Sequence, residues 1–120
     1  MNYRKLNALA ALRVMGFTQD DIYGAWLWSD RVTLIPYENW SPATDNNDAS
    51  VLLDRISSDY WTFSKIVRPG SPIFFRAMGS NALGWKEAEA STEALAKTIC
   101  ALRAASISED EIQEALNETA

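Results

Sequence analysis

The feature that most restricts the fold is a pair of apolar runs on either side of a turn rich in proline and glycine. The run YWTFSKIV, the turn RPGSP and the run IFFRAMG follow one another over residues 60–79. Alternating runs with aromatic and β-branched residues, joined by such a turn, predict a β-hairpin. The class of the whole fold depends on this hairpin.

Helical patterns lie before, between and after the sheet segments. Residues 3–15 place apolar side chains at helical spacing and end at Gly16, while similar stripes run over 49–57 and 94–105. In the last of these helices, Cys100 stands within an apolar run, and we expect it to be buried.

Two further segments bear on the sheet. RVTLIPY (31–37) is typical of a strand that ends at its proline, whereas SNALGWKEAEAS (80–91) fits either a further strand or a loop. Helices alternating with antiparallel strands predict an α+β fold. The expected architecture is one domain over residues 1–120, with a small antiparallel sheet and helices packed on it.

A short unit occurs near both ends of the chain. ALRVMGFTQDDIYGA (11–25, the N-terminal repeat) and ALRAASISEDEIQEA (101–115, the C-terminal repeat) share six identical residues in register. Each predicts a helix, a link and a capped second helix, and therefore a helix hairpin near each terminus. In both repeats we expect the same roles at equivalent positions. Thr18 and Ser108 are the N-caps, and Phe17 and Ile107 precede them. The expected buried face holds Ile22 and Ala25 in one repeat and Ile112 and Ala115 in the other. Internal duplication and chance recurrence of capping residues both explain the match.

The negative charge is concentrated at the C-terminus. Residues 1–105 hold eleven basic and eleven acidic residues, so the net charge of −5 belongs to the last fifteen. The acidic residues there are Glu109, Asp110, Glu111, Glu114 and Glu118. An acidic helix at about 108–117 favours a basic protein surface as partner, and the lack of a basic stripe disfavours direct nucleic-acid binding.

The composition excludes several kinds of catalytic and metal site. The chain has no histidine and one cysteine, so zinc sites and Ser-His-Asp triads cannot form. The segment TDNND (44–48) lacks the spacing of a calcium loop and is better explained as a helix cap. We expect no catalytic residues, no metal and no cofactor, and a single cysteine suits a reducing cytoplasm.

Four segments resemble the phage ABA-sandwich domain family, which occurs in bacteriophage and prophage genomes. They are LNALAALRVMGF (6–17), WSPATDNNDASVLLDRI (40–56), FFRAMG (74–79) and AEASTEALAKTICALRA (88–104). The resemblance implies a sheet flanked by helices and a phage origin. Together with the single cysteine, a phage origin leads us to expect the cytoplasm of an infected bacterial host. It implies no chemistry, and residues 18–35 and 106–120 lie outside its pattern.

The preferred functional hypothesis is a small accessory protein that binds a host protein, such as an inhibitor of a CRISPR effector or another defence system. Trp28 and Trp40 stand beside loop-forming residues, where aromatic side chains are harder to bury, so we expect them to anchor the partner. The acidic C-terminal residues would steer its approach. Both a monomer and a homodimer are compatible with the sequence.

Two alternatives stay open. One is a protein that binds a nucleotide or small molecule, as a sponge or a minor hydrolase, through a pocket of Trp61, Arg68, Arg76 and Trp85. The other is a structural module within a phage assembly.

Overall fold

The protein is described by a computed structural model over residues 3–28, 30–56, 60–81 and 84–117. Within these residues it has four helices and two three-stranded antiparallel sheets, so the α+β prediction is confirmed. The elements in chain order are α1 (α-helical over Arg4–Leu9 and π-helical over Ala10–Met15), β1 (Thr18–Asp20), β2 (Ala25–Leu27), β3 (Leu34–Pro36), a 3-10 turn (Tyr37–Asn39), α2 (Asn46–Arg55), β4 (Tyr60–Ile66), β5 (Phe74–Asn81), β6 (Gly84–Ala90), α3 (Glu93–Ala104) and α4 (Glu109–Asn117).

The predicted hairpin is confirmed as the first two strands of the larger sheet. Strands β4 and β5 pair over seven positions, from Tyr60 opposite Ser80 to Ile66 opposite Phe74. The undecided segment 80–91 contains the whole of β6, which pairs with the other side of β5. The sheet order is therefore β4-β5-β6.

Helix α3 covers one face of this sheet. The strands present small residues to the helix, and Ala77 and Ala88 are both 1% exposed. Small side chains let a helix approach closely, and nine consecutive residues of α3, from Ala94 to Leu102, are buried. This helix is the centre of the core.

Helix α2 packs against α3 and begins at a side-chain cap. The Asp45 carboxylate accepts hydrogen bonds from the backbone N–H groups of Asn47 and Asp48. Such a cap satisfies donors that the first turn of a helix leaves free. The interpretation of TDNND as a cap is confirmed.

Cys100 lies on the buried side of α3, as predicted. Its side chain is fully buried, and burial raises the pKa of the thiol to about 11. At neutral pH the thiolate, which is the reactive form, is therefore scarce.

The C-terminal repeat folds as predicted. Ser108 Oγ accepts a hydrogen bond from the backbone N–H of Glu111 at 3.2 Å, which caps α4. Ile107, Ile112 and Ala115 are buried against the core. The helix hairpin near the C-terminus is thus formed by α3 and α4.

The N-terminal repeat does not form a second helix, and this prediction was wrong. Residues 18–27 instead form the hairpin β1–β2, and β3 pairs with the other side of β2. Gly24 adopts a positive φ of 61° in the turn, which a helix does not allow and which glycine adopts freely. Ala25 is buried as expected, but Ile22 is 91% exposed.

Candidate functional site

The three short strands β1–β3 form a small meander beside α1. Trp26 and Ile35 lie directly opposite each other on β2 and β3 and pack into the core, and Trp26 contacts the Tyr37 ring edge-on at 5.1 Å. Phe17, which leads into β1, is buried between the rings of Trp28 and Trp40. The inner side of the meander is therefore fixed to the body by aromatic contacts.

The turn between β1 and β2 displays two apolar side chains. Asp20 Oδ1 accepts hydrogen bonds from the backbone N–H of Ile22 at 3.1 Å and of Tyr23 at 3.3 Å. Ile22 is 91% exposed and Tyr23 is 72% exposed. A second carboxylate fastens the turn to the 3-10 segment, because Tyr37 Oη donates to Asp21 Oδ1 at 2.8 Å.

The turn between β2 and β3 has the same design. Asp30 Oδ1 accepts from the backbone N–H groups of Val32 and Thr33, each at 2.9 Å, and the Thr33 hydroxyl donates to Asp30 Oδ2 at 2.6 Å. Val32 is 81% exposed. The hydrogen bonds from Thr33 and Val32 lower the pKa of the Asp30 carboxyl below its ordinary value.

Both turns thus hold an aliphatic side chain in water on a backbone fixed by an aspartate. An exposed apolar residue on an ordered turn can enter a partner's pocket with little loss of conformational entropy. We call Ile22, Tyr23 and Val32 the turn-tip residues. The sequence places each aliphatic residue two positions after an aspartate, and this spacing was the signal available for finding them.

The predicted aromatic anchors lie elsewhere than expected. Trp40 is only 3% exposed, and its Nε1 donates to the Asn7 carbonyl oxygen at 3.0 Å, so it is a core residue. Trp28 is half-buried, with its ring centroid 5.0 Å from that of Phe17. The prediction that Trp40 is exposed was wrong, because the loop after it folds back onto α1 through the Ala43 N–H and the Asn7 side chain.

Two acidic residues of α4 form ion pairs within the protein. Arg103 Nη2 and Nε donate to the Glu109 carboxylate at 2.6 and 3.1 Å, and Arg13 Nη1 donates to Glu111 at 2.7 Å. The hydrogen bond from Arg103 lowers the pKa of Glu109. These two ion pairs fasten α4 to α3 and α1.

The other predicted acidic residues differ in their placement. Asp110 and Glu114 are exposed on α4, whereas Glu118 lies outside the described residues. Among the described acidic residues of α4, Asp110 and Glu114 are therefore the ones best placed to meet a basic surface.

The four residues of the alternative pocket do not line one cavity. Trp61 lies on the sheet face toward α3 and packs at the edge of the core. Gly79 on β5 pairs with Trp61, and Arg76 lies three residues before Gly79, so its side chain points to the opposite face of the sheet. Arg76 Nε donates to the Glu89 carboxylate at 2.9 Å. Trp85 is 51% exposed on β6.

Arg68 stands in the turn beyond these strands. Its guanidinium carbon lies 5.3 Å from the centroid of the Phe74 ring, in cation–π contact.

A groove that the sequence pattern did not predict lies between α1, the meander and the 3-10 turn. Its volume is about 890 Å³, and its floor includes the buried rings of Trp26 and Trp40. Its walls carry polar and charged residues from several elements: Arg4, Lys5, Asn7, Gln19, Glu38, Ser41 and Thr44. These residues are distant in the sequence, so no local motif marks the groove.

Neither a metal centre nor a membrane span is found in the described part of the chain. These residues contain no cluster of three or more His, Cys, Asp or Glu side chains suited to hold a metal ion. Among them, every helix is too short or too polar to cross a lipid bilayer.

The overall fold has a counterpart among solved structures. A 2.0 Å crystal structure of a phage protein from Bacillus cereus ATCC 14579 superposes with a TM-score of 0.65, at 19% sequence identity, over 89% of this chain and 90% of that one. The chain shares its fold with a phage protein. No family model and no curated protein matches the sequence.

This likeness extends over most of both chains. At 19% identity it shows the fold alone.

Proposed function

We propose that this chain is a small phage accessory protein that acts by binding a host protein, with the turn-tip residues as its anchors. The observation that carries the proposal is the pair of aspartate-fixed turns, which hold Ile22 and Val32 at 91% and 81% exposure. Isolated exposed apolar residues are ordinary on protein surfaces. Two of them on turns that are each braced by an aspartate suit insertion into apolar pockets of a partner.

The charge of α4 suggests the kind of partner. Asp110 and Glu114 add exposed negative charge to a helix whose two other described acidic residues are ion-paired. Exposed charge of one sign accelerates association with a surface of the opposite sign. A basic host surface, such as the nucleic-acid groove of a CRISPR effector, has this property, and blocking it would inhibit a defence system.

Two observations support the phage origin that this proposal gives to the protein. The fold likeness to a phage protein is one, and the four segments that resemble the phage ABA-sandwich family are the other. In this proposal the chain works in the cytoplasm of the infected bacterium.

The test is affinity capture from host lysate with three baits: the wild type, Ile22→Ser combined with Val32→Ser, and Val51→Ser as control. Val51 is an exposed apolar residue on α2, at 38% exposure, away from the turns. A true partner is captured by the wild type and the control and is lost from the double variant. Equal capture by all three baits would contradict the role of the turns.

Binding kinetics with the captured partner separate the two parts of the proposal. Loss of an apolar anchor worth about 1.4 kcal/mol or more should raise the dissociation rate roughly tenfold. Asp110→Lys with Glu114→Lys should slow association at low salt and have less effect at high salt. An unchanged association rate would contradict the electrostatic part of the proposal, but not the role of the turn-tip residues as anchors.

The groove supports a second candidate function, the binding of a small molecule such as a nucleotide. Its volume of about 890 Å³ and its combination of aromatic floor and polar walls are typical of ligand sites. NMR titration of the wild type with a panel of nucleotides should shift signals of residues that line the groove. Gln19→Trp, which fills the groove from β1, should abolish the shifts, and a wild type that gives none at millimolar nucleotide rejects this candidate.

A further inference from the structure

The larger sheet ends in two edge strands that differ in their protection. The order β4-β5-β6 leaves the outer side of β4 and the outer side of β6 without a partner strand among the described residues. Such an edge presents unpaired N–H and C=O groups and can pair with any extended chain unless it is blocked.

Strand β6 is blocked by charge and by a side chain. Its sequence GWKEAEA carries Lys86, Glu87 and Glu89, and charged residues oppose edge-to-edge pairing. In addition, Arg103 Nη1 donates to the backbone carbonyl oxygen of Glu87 at 2.8 Å. The ion pair between Arg103 and Glu109 holds the guanidinium in this position.

Strand β4 has no comparable protection. Its sequence YWTFSKI contains one charged residue, Lys65, and is rich in aromatic and β-branched residues. In the described part of the chain, every backbone partner of β4 lies on β5. Phe63, at the middle of the strand, is 40% exposed although Lys97 Nζ lies 4.4 Å from its ring centroid.

We propose that β4 pairs antiparallel with β4 of a second copy of this chain, with the two-fold axis at Phe63. The two sheets then form one continuous sheet of six strands. This register pairs all seven residues of each strand without overhang, because Phe63 is the central residue of Tyr60–Ile66.

The side chains complement themselves in this register. Trp61 lies opposite Lys65 of the second copy, which pairs a ring with a cation, and Thr62 lies opposite Ser64, which pairs two hydroxyl groups. Phe63 lies opposite its own equivalent. A two-fold axis at Lys65 would instead place like charges opposite each other, which destabilises a strand pair.

The dimer uses none of the residues proposed to bind the host protein, so the two proposals can fail separately. A single strand pair is a small interface, and we expect dissociation in the micromolar range. Sedimentation equilibrium of the wild type from micromolar to near-millimolar chain concentration should show the mass rising from one chain to two. A mass of one chain at the highest concentration overturns the proposal.

Cysteine cross-linking tests the register. In the proposed pairing Thr62 of one copy faces Ser64 of the other, while Thr62 and its own equivalent are diagonal neighbours. Directly opposite Cβ atoms lie about 4.5–5.5 Å apart and diagonal ones about 7–8 Å apart. Disulfides need a Cβ separation of about 3.5–4.5 Å, so the opposite pair is favoured.

Under mild oxidation, a mixture of Thr62→Cys and Ser64→Cys chains should therefore cross-link several-fold more than either variant alone. Glu87→Cys, an exposed position in the middle of β6, is the matched control and should stay monomeric on a denaturing gel. The native Cys100 does not interfere because it is fully buried. Stronger linking of one single variant than of the mixture, or equal linking of the control, overturns the register.

Discussion

The N-terminal and C-terminal repeats have similar structures at their start and different structures after it. Each helix is followed by a residue with positive φ, Gly16 at 72° directly after α1 and Ser106 at 65° two residues after α3. The next residue is buried in both, Phe17 at 3% exposure and Ile107 at 6%. In addition, the arginine shared by the two repeats donates to an acidic residue of α4 in each case.

After this point the same pattern gives a strand in one repeat and a helix in the other. Thr18 opens β1, whereas Ser108 caps α4. The isoleucine shared by the repeats is 91% exposed as Ile22 and fully buried as Ile112. The shared residues therefore specify how the first helix ends, and the residues that differ decide whether the next element is a strand or a helix.

The differing residues explain the outcome. Tyr23-Gly24 occupies the positions of Gln113-Glu114, so an aromatic residue and a glycine stand where the C-terminal repeat has two good helix formers. The aromatic run after this pair, ending in Trp28, then favours a strand.

The largest effect should come from the shared isoleucine. Ile112→Ala removes a fully buried side chain and should lower the free energy of unfolding by about 2–4 kcal/mol. Ile22→Ala at the equivalent position should change it by less than about 0.5 kcal/mol, because that side chain is already in water. Urea denaturation of both variants measures the difference. Equal losses would mean that the two repeats pack alike after all.

The glycine that separates the repeats should give an intermediate effect. Gly24→Ala places a Cβ at φ of 61° with no atom within 4 Å of it, so its cost is backbone strain of about 1 kcal/mol. The matched change Glu114→Ala falls on the exposed face of α4 and should be close to neutral. Thermal unfolding compares the two, and a neutral Gly24→Ala would argue against the described turn.

The smallest effect should come from the two arginines. Arg103→Met should lower the free energy of unfolding by about 0.5 kcal/mol and Arg13→Met by less, because ion pairs near the surface contribute little. Arg103 is the more buried of the two and also holds the Glu87 carbonyl. Chemical denaturation at neutral pH measures both, and a larger loss for Arg13→Met would reverse this ranking.

The same pair predicts a pH dependence. Arg103 holds the pKa of Glu109 below its ordinary value of 4.5, so the folded carboxyl binds its proton less readily than the unfolded one. The stabilisation is therefore present above pH 4.5 and is lost as the pH falls through the folded pKa. The difference in stability between the wild type and Glu109→Gln should shrink over that range, and a constant difference would exclude the ion pair as its cause.

Much of the fold could be predicted from local patterns. The stripe of α3, the Asp45 cap and the Pro69-Gly70 turn are each encoded within a few residues, and all three are confirmed. The prediction of a second helix in the N-terminal repeat was wrong because residues that cap helices also favour turns. The Asp20 carboxylate accepts hydrogen bonds from backbone N–H groups in a β-turn, just as an aspartate does at the start of a helix.

The candidate site was harder to predict. Trp40 is buried against Phe17 and donates a hydrogen bond to Asn7, thirty-three residues away, and no local pattern reveals these contacts. The exposure of Ile22 follows from the hairpin β1–β2, so the expected second helix of the N-terminal repeat could not reveal it. The exposure of Val32 follows from the next turn of the meander.

The π-helical winding of Ala10–Met15 has a consequence for how this chain tolerates changes in length. A π-turn holds one residue more than an α-turn. A variant that lacks one residue in this segment would return to ordinary α-helical winding and still reach Gly16 and Phe17 at nearly the same place. Insertions and deletions usually settle in loops, but in this protein the second half of the first helix is a place where a related chain would be one residue shorter without a change of fold.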